Sequence, residues 1–509
     1  MMRRHATTDV VDAVVIGTGA GGGPLLARLA AAGLSVVALE AGRDRIANQH
    51  TPDEIAASDL YWMGERLSGG ETPEAFGPNN SGIGVGGSTL HWGAFTPRPD
   101  PREFTLRTDT GKGEDWPLTV AELRPYLEQV EHDIGVSGPA EFPWDPQRRY
   151  LMPPVDLNAP ALAMQRGCAA LGIRTSAAPA AVLSRTRIGG GIDRAACVGC
   201  GACHQGCRND AKATTANTYI PWAVQAGAEI RTGCMAVGIE RDRTGRIRSV
   251  TYLQDGTLHA QACRTLFLCA GAVETPRLLL HTGIGNASGQ VGRNYMAHVA
   301  TQVWGTFDDA MRMNKGYPSS LITEDFLRPR DAEFASGYLV QSLGVMPLTW
   351  ANAMARGRGL RGRALTEALT GYNHAAGIGI NGDCLPQERN RLTLSDEVDE
   401  TGMAKPLISF SYGENENAMD EHATDMMRAV WEAAGASDIW VAARSAHTIG
   451  TCRMGHDPDR SVVDSVGRSH EIDNLWICDN SVFPSAMAAN PALTIMALSL
   501  RTADAFLRQ

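Results

Sequence analysis

The residues most able to do chemistry stand close together in the stretch CVGCGACHQGC, which covers residues 197–207. Its spacing is C-x2-C-x2-C-x3-C, formed by Cys197, Cys200, Cys203 and Cys207. That spacing is typical of iron–sulfur ligation, although Arg208 stands where a proline usually follows. A structural zinc site usually takes two cysteine pairs separated by a longer loop. The spacing therefore favours iron–sulfur over zinc, and a metal-free turn stays open as well.

A second chemical motif is the glycine-rich loop G-x-G-x-x-G formed by Gly17, Gly19 and Gly22. The apolar run at 10–16 precedes it and predicts a strand buried on both faces of a parallel sheet. A helix-like segment and a second strand follow, and this strand ends at Glu40. In such a unit the glycines admit a pyrophosphate at the helix N-terminus, and the acid binds ribose hydroxyls. The segment predicts a dinucleotide-binding unit, and the motif alone does not separate NAD from FAD.

Later segments decide between these two cofactors. They read NNSGIGVGGSTLHWGAFTPRPD from residue 79, LFLCAGAVETPRLLLHTGIG from 266, VGRNYMAHV from 291, HTIGTCRMGHDP at 447–458 and NLWICDNSVFPSAMAANPALTIMALSLRTAD at 474–504. In this order and spacing they resemble the glucose–methanol–choline (GMC) oxidoreductases, a family of FAD enzymes. The resemblance runs from residue 10 to the C-terminus and is weakest at 300–440. It favours FAD over NAD.

The resemblance also implies site residues. The positions that it places at FAD, beside the glycine loop and Glu40, are Gly86, Gly87, His91, Trp92, Ala270 and Asp479. His447 stands where the family carries its catalytic base, and a neutral imidazole suits the removal of a hydroxyl proton. Asn490 stands where the family carries the partner of that base. Because an amide cannot act as a base, we expect Asn490 to hydrogen-bond the substrate oxygen.

His91 raises the question of a covalent flavin. It lies in GVGGSTLHWG, at the position where choline oxidases and pyranose oxidases attach FAD to a histidine, and Trp92 matches the pyranose enzymes. A histidyl bond would withdraw electron density from the flavin and ease hydride acceptance. A noncovalent contact between His91 and the dimethylbenzene ring is the alternative, and both readings stay open.

The resemblance sharpens the question of the cysteines. Cys197, Cys203 and Cys207 reproduce the C-x5-C-x3-C spacing that holds a [3Fe–4S] cluster in the sugar dehydrogenase branch of the family, with Cys200 as an extra thiol. Other members carry a related stretch for which no metal is expected. A cluster would pass electrons one at a time from the flavin to an electron-acceptor protein, and family members with a cluster often pair with a small subunit. A chain without a cluster could use O2 as the acceptor.

The elements needed to position these residues predict an α/β fold with two parts. The first is a Rossmann-like FAD-binding domain, discontinuous in sequence, at 1–299 and 441–509. It includes a Cys-rich loop at 190–215 and a β-meander at 230–265 with alternating polarity. The second is a substrate domain at 300–440, built on an antiparallel sheet covered by helices.

Composition narrows the function class. The chain has 509 residues, 43% of them hydrophobic, and a net charge of −10, which disfavours nucleic acid as a partner. No apolar run is long enough to predict a membrane span or a signal peptide. Seven cysteines lie scattered outside the stretch 197–207, and the total of eleven is odd. Both observations favour reduced thiols in the cytoplasm, with export on a partner subunit as the alternative.

We therefore expect FAD-dependent oxidation of a CH–OH group, with a sugar, glycoside or polyol as the favoured small-molecule substrate. An aromatic or aliphatic alcohol, a flavin-containing lyase of the same family and a non-enzymatic electron-relay subunit are the alternatives.

Overall fold

A seven-stranded sheet with parallel strands at its centre carries the first glycine loop. A computed structural model describes residues 4–44, 53–70, 81–189, 192–330 and 332–509. Within these residues the sheet has seven strands: β1 (Val11–Ile16), β2 (Val36–Glu40), β5 (Glu229–Thr232), β6 (Met235–Arg241), β7 (Ile247–Gln254), β8 (Thr257–Leu268) and β18 (Leu475–Ile477). Their order is β5-β2-β1-β8-β7-β6, and β18 adds to β8.

The centre of this sheet is parallel and buried. β1 lies between β2 and β8, where Val14 is opposite Val37 and Leu266. Five of the six residues of β1 are buried, as expected for a strand covered on both faces. Helix α1 (Gly22–Ala31) packs Leu25 and Leu26 onto one face of the sheet. The arrangement is the Rossmann-like unit that the strand–glycine loop–helix pattern predicts.

Strand β8 joins two kinds of pairing. Its first part closes an antiparallel meander with β7 and β6, and its last residues run parallel to β1. The meander thus spans 235–268 and feeds directly into the parallel sheet, while β5 pairs with β2. At the far end of the chain β18 returns to the same sheet beside β8. This return places the C-terminal segment next to the first glycine loop.

The second sheet is antiparallel and has eight strands in the described residues. They are β4 (Ser176–Ala177), β9 (Met296–Val299), β10 (Gln302–Thr306), β11 (Leu321–Thr323), β12 (Tyr338–Leu343), β13 (Ala375–Gly382), β16 (Ser437–Ala442) and β17 (Ser445–Ile449). Helices α4 (Ala159–Ala170) and α9 (Glu414–Ala433) cover it. Trp431 of α9 is fully buried and donates its indole N–H to the Val303 carbonyl at 2.8 Å.

This sheet extends beyond the predicted substrate range of 300–440. β4, β9 and β17 lie outside that range in sequence, yet they pair with its strands or with each other. The difference arises because pairing between strands far apart in sequence leaves no local pattern. The domain limits stay a prediction, and residues 190 and 191 of the predicted Cys-rich loop lie outside the described residues.

The remaining elements surround the two sheets. A three-stranded sheet contains β3 (Leu67–Gly69), β14 (Arg391–Val398) and β15 (Ala404–Ser409). The other helices are α2 (Leu106–Thr110), α3 (Val120–Ile134), α5 (Tyr219–Gln225), α6 (Gly271–Thr282), α7 (Pro347–Gly357), α8 (Gly362–Leu369) and α10 (Pro491–Leu507). Among the described helices, none combines the length and the apolar character that crossing a membrane requires.

Candidate active site

The two glycine loops meet backbone to backbone at the ends of the parallel strands. Gly17 has φ +96°, and a Cβ there would come within 2.5 Å of the Cys269 carbonyl oxygen. Gly87 has φ +52°, and a Cβ there would come within 2.9 Å of the Cα of Gly19. Only glycine allows this approach without displacing the backbone. The loops therefore form a floor on which a flat or extended ligand can lie against main-chain N–H groups.

Glu40 ties the two loops together. Its buried carboxylate accepts hydrogen bonds from the Thr18 N–H at 3.1 Å and hydroxyl at 2.7 Å, from the Gly42 N–H at 3.0 Å and from the Gly84 N–H at 3.2 Å. Burial raises the pKa of Glu40, and these hydrogen bonds oppose the rise. Glu40 also lines a cavity that both glycine loops border. The structure therefore gives it a clear role in holding the loops, while the predicted ribose contact stays a prediction.

Asp479 connects β18 to the start of α6. One of its oxygens accepts the Gly271 N–H at 2.8 Å and the Thr275 hydroxyl at 2.6 Å, and the other accepts the Ser481 N–H at 2.8 Å. Ala270 is the N-cap residue of α6 and lines the cavity beside Asp479. Thr275, which the sequence analysis did not single out, thus fixes the orientation of the carboxyl group.

His91 lies in the same cavity as a neutral ring. Burial, with Lys212 and His204 nearby, lowers its pKa to about 3. Its Nε2 atom is buried and has no hydrogen-bond partner among the described residues, and its ring centre lies 4.5 Å from that of Tyr61. Trp92 donates its indole N–H to the Ala213 carbonyl at 2.7 Å. His91 therefore lines the cavity with one buried ring nitrogen that has no partner among the described residues, and Trp92 is held in place beside it.

His447 forms a pair with a second histidine, His298, and their Nδ1 atoms lie 2.8 Å apart. The Nε2 atom of His298 lies 2.6 Å from the Met487 carbonyl oxygen, which only accepts, so this nitrogen carries hydrogen. Burial lowers the pKa of His298 to about 4, so its ring is neutral and its Nδ1 accepts. His447 must then donate from Nδ1. Its Nε2 atom is left with a free lone pair.

The electrostatics of His447 agree with this assignment. Burial lowers its pKa well below the usual value, and His298, Arg444 and His91 add to the effect. The backbone at His447 has φ +58°, in the left-handed region that is uncommon for a residue other than glycine. Such strain often accompanies a side chain that must point in one direction. His447 is therefore a neutral imidazole with an unprotonated Nε2 in the cavity.

Asn490 faces that nitrogen. Its Nδ2 lies 3.5 Å from His447 Nε2, and its Oδ1 accepts a hydrogen bond from the amide of Asn381. Because Asn381 occupies the oxygen, the amide N–H group of Asn490 is turned toward His447. Asn490 precedes α10, which begins at Pro491. The structure thus brings the two predicted catalytic residues together and adds Asn381, which sequence reasoning missed.

One cavity of about 440 Å³ joins these features. At one end lie the first glycine loop and Glu40, at the other His447 and Asn490, with His91 also on its wall. Polar residues of the second sheet also line this cavity, namely Gln302, Gln341 and Asn381, as does Ser319 in the segment before β11. The glycine floor and the unpartnered nitrogen of His91 fit FAD, and the polar side chains suit a small polar molecule beside His447.

The four cysteines of 197–207 surround a separate cavity of about 20 Å³, enough for roughly one water molecule. Burial raises the pKa of Cys203 to about 12 and also raises that of Cys197, which favours thiols over the thiolates that bind metal. In the part of the chain that the structure describes, no three His, Cys, Asp or Glu side chains are placed to hold a metal ion. These side chains therefore give no support to an iron–sulfur cluster, which stays a prediction.

Lys212 explains how this stretch is attached to the active site. The residue is 1% exposed, and its ammonium group donates to the carbonyls of Leu90, Trp92 and Cys203 at 2.6–3.1 Å. It therefore clamps the Cys-rich stretch to the segment that carries His91. His298 was not singled out from the sequence, because a histidine in a short apolar strand has a more common explanation.

Comparison with known proteins gives this geometry a family. The GMC oxidoreductase models match residues 79–300 and 386–499. The fructose dehydrogenase large subunit of Gluconobacter japonicus is 30% identical, with 97% of both chains covered. The 6'''-hydroxyparomomycin C oxidase of Streptomyces lividus is 31% identical, with 98% of this chain and 92% of the relative covered.

Solved structures agree on the fold. Pyridoxine 4-oxidase from Mesorbium loti matches with a TM-score of 0.69 at 18% identity, covering 98% of this chain and 99% of the other. Formate oxidase from Aspergillus oryzae RIB40, in a variant made to study FAD modification, matches with a TM-score of 0.68 at 15% identity and 98% coverage of both chains. The chain belongs to the GMC oxidoreductase family, whose members are FAD-dependent alcohol and sugar oxidases or dehydrogenases.

Proposed function

We propose that this protein oxidises a CH–OH group of a sugar, glycoside or polyol, with His447 as the base that removes the hydroxyl proton. The observation that carries the proposal is the assigned proton arrangement of the His298–His447 pair, which leaves Nε2 of His447 unprotonated in the cavity. FAD, when bound, supplies the acceptor for the hydride that leaves the carbinol carbon. The protein must then take the proton and hold the oxygen.

The proton has a defined destination. When Nε2 of His447 accepts it, the ring becomes an imidazolium whose Nδ1–H still donates to His298. That hydrogen bond becomes charge-assisted and therefore stronger as the proton arrives. His298 in turn is anchored on the Met487 carbonyl oxygen. His298 is thus a positioning residue that supports the charge formed on His447.

Asn490 has the complementary role of orienting the substrate. Its amide N–H group lies beside His447 Nε2, so a hydroxyl oxygen within hydrogen-bond distance of both nitrogens would receive a hydrogen bond from Asn490 while it gives its proton to the imidazole. Asn381 keeps the amide in this orientation. The polar side chains of Gln302, Ser319 and Gln341 supply further donors and acceptors for a polyhydroxylated molecule.

The names of the relatives support this class of substrate. Besides fructose dehydrogenase and 6'''-hydroxyparomomycin C oxidase, they include the paromamine 6'-oxidase of Streptomyces fradiae, which is 31% identical with 97% of this chain covered. Long-chain-alcohol oxidases of Arabidopsis thaliana are 26% identical. Sugar-like compounds thus predominate among the more similar relatives, and we favour them over aliphatic or aromatic alcohols.

FAD would lie along the floor formed by Gly17, Gly19 and Gly87, near Asp479 and Ala270. We propose that His91 is its attachment site, because a buried, neutral imidazole with an unpartnered Nε2 is the form that can bond to carbon. Colour that stays with acid-precipitated protein would support the covalent link. Colour found only in the supernatant would leave His91 as a noncovalent contact.

The electrons must leave the flavin to O2 or to an electron-acceptor protein. One relative is named as a large subunit, which supports a small partner subunit for this chain. An iron–sulfur cluster at Cys197, Cys203 and Cys207 stays a prediction, tested by iron analysis and EPR of protein purified anaerobically. Iron-free protein would contradict that prediction.

A cytoplasmic location is proposed from eleven free cysteines, and cell fractionation tests it.

The experiment that tests the proposed function is anaerobic mixing of the FAD-loaded protein with sugars, glycosides, polyols and aromatic alcohols, followed by flavin absorbance. Bleaching by a polyhydroxylated compound is the expected result. Turnover of a compound without bleaching, and without any electron acceptor, would favour the lyase alternative. No bleaching by any CH–OH compound would favour the electron-relay alternative and contradict the proposal.

A further inference from the structure

The two arginines that line the main cavity differ in their partners. Arg66 pairs with Glu274 at 3.2 Å and donates to the Ser81 hydroxyl at 2.8 Å. Arg444 uses only its carbonyl oxygen, which accepts from the Ala300 N–H at 3.0 Å. Its guanidinium forms no salt bridge or hydrogen bond with any residue that the structure describes. Among the described residues, Arg444 therefore has no anionic partner for the positive charge that it brings to the cavity.

The described acids near the cavity have other partners. Glu40 and Asp479 accept backbone and hydroxyl hydrogen bonds, and Glu274 pairs with Arg66 and Arg277. Glu54 lies near Tyr61, but its carboxylate accepts from the N–H groups of Leu348 and Thr349 at the start of α7. No acid of the described cavity wall is therefore available to Arg444.

The described groups around Arg444 offer its charge no anion. Arg444 is exposed and lines the cavity, and the surrounding protein lowers the pKa of its guanidinium. The groups near it are the phenols of Tyr61 and Tyr412 and the imidazoles of His204 and His447. Its guanidinium can therefore pair with an anion that enters the cavity.

Arg444 and the proposed base face one ligand space. Arg444 precedes β17, which carries His447 three residues later, a distance of about 10 Å in extended chain. Residues three apart on a strand normally point to opposite faces. Here the pairing with β9 shifts by one residue between Ala446 and Ile449, and His447 has φ +58° within this bulge. The bulge lets both side chains line the same cavity.

We propose that Arg444 binds an anionic oxygen group, a carboxylate or a phosphate, carried by the substrate whose CH–OH group lies at His447. A guanidinium offers a planar pair of N–H donors that matches such a group. Arg444 lies beside the base in the second sheet, whereas the phosphates of FAD are expected at the glycine loops. The inference rests on the proposed function and narrows its substrate to polyhydroxylated acids or sugar phosphates.

The test compares D-glucose, D-glucuronate and D-glucose 6-phosphate, which share a ring and differ at carbon 6. Binding is measured with the FAD-loaded His447→Ala variant, which is expected not to oxidise them, through changes in the flavin spectrum. We expect at least one of the two anions to bind about ten-fold tighter than glucose, which corresponds to about 1.4 kcal/mol. The tighter of the two anions identifies the source of the oxygen group.

Arg444→Gln, added to that protein, should remove the preference for the anions over glucose. Arg444→Lys should keep part of that preference, because lysine retains the charge but lacks the paired N–H donors of a guanidinium. Arg363→Gln is the matched control, since Arg363 is exposed on α8 and pairs with Glu367. Equal affinities for glucose and both anions, or a preference that survives Arg444→Gln, would overturn the proposal.

Two further outcomes separate this inference from the proposed function. If wild-type flavin is bleached by neutral sugars while Arg444→Gln slows neutral and anionic compounds equally, Arg444 acts on the flavin, and the anion site is wrong while the oxidation stands. If anions bind through Arg444 but no CH–OH compound bleaches the flavin, the anion site stands and the proposed oxidation is wrong.

Discussion

Replacement of His298 by leucine gives a quantitative test of the histidine pair. The substitution removes the acceptor that lies 2.8 Å from His447 Nδ1, and it keeps an apolar side chain of comparable bulk at a fully buried position. The base stays, but the imidazolium that forms when it takes the proton loses its hydrogen-bond partner. We therefore expect slower flavin reduction rather than a loss of binding.

The magnitude follows from that single hydrogen bond. The neutral pair already has a hydrogen bond of about 0.5–1.5 kcal/mol, and a hydrogen bond to a charged group contributes about 1.5–3 kcal/mol, so the gain on proton transfer is about 1–1.5 kcal/mol. Since about 1.4 kcal/mol corresponds to a ten-fold change in rate, the rate constant for flavin reduction should fall by about 5- to 13-fold. His298 does not line the cavity, so the dissociation constant of the substrate should change little.

The assay is anaerobic stopped-flow reduction of bound FAD at increasing substrate concentration, which separates the rate constant from the dissociation constant. His422→Leu is the matched control, because His422 hydrogen-bonds Tyr338 at 2.8 Å and does not line the cavity. A His298→Leu enzyme that keeps its FAD and reduces it within about three-fold of the wild-type rate would refute the reasoning, since it falls short of the expected loss.

Three further predictions follow from the same structure. Because burial lowers the pKa of His447 well below 6.5, its neutral form persists as the pH falls, so the rate constant for reduction should stay level through pH 6.5 and decline only in more acidic buffer; half-maximal reduction at pH 6.5 would contradict this. His91→Ala should release all flavin colour from acid-precipitated protein, whereas equal retention by variant and wild type would exclude His91 as the attachment site. Lys212→Met should lower the free energy of unfolding by at least about 2 kcal/mol, since three buried carbonyls lose their donor, and an unchanged melting temperature would show that the clamp is unimportant.

The parts of the fold that the sequence could predict are those with local patterns. The apolar run of β1, the glycines after it and Glu40 lie within one strand–helix–strand unit, so their spacing is visible in a single window. His447 and Asn490 were predicted from the family resemblance, and the structure places them 3.5 Å apart. Their roles as base and orienting group stay proposals.

The parts that could not be predicted depend on contacts between distant segments. His298 meets His447 only because β9 pairs with β17, about 150 residues later in the chain. Asn381 lies on β13, an inner strand of the second sheet, and hydrogen-bonds Asn490 from there. Arg444 gains its position from a bulge that no local pattern shows. Pairing register across such distances is decided by tertiary packing, which a single sequence does not display.

The most direct test of the central claim is anaerobic flavin reduction by the His447→Ala variant beside the wild-type protein, each loaded with FAD and mixed with a polyhydroxylated substrate that bleaches the wild type. We expect the variant to bind FAD normally and to reduce it more slowly by at least about 100-fold, the lower range of general base catalysis. Reduction at a rate near that of the wild type would contradict the assignment of His447 as the base.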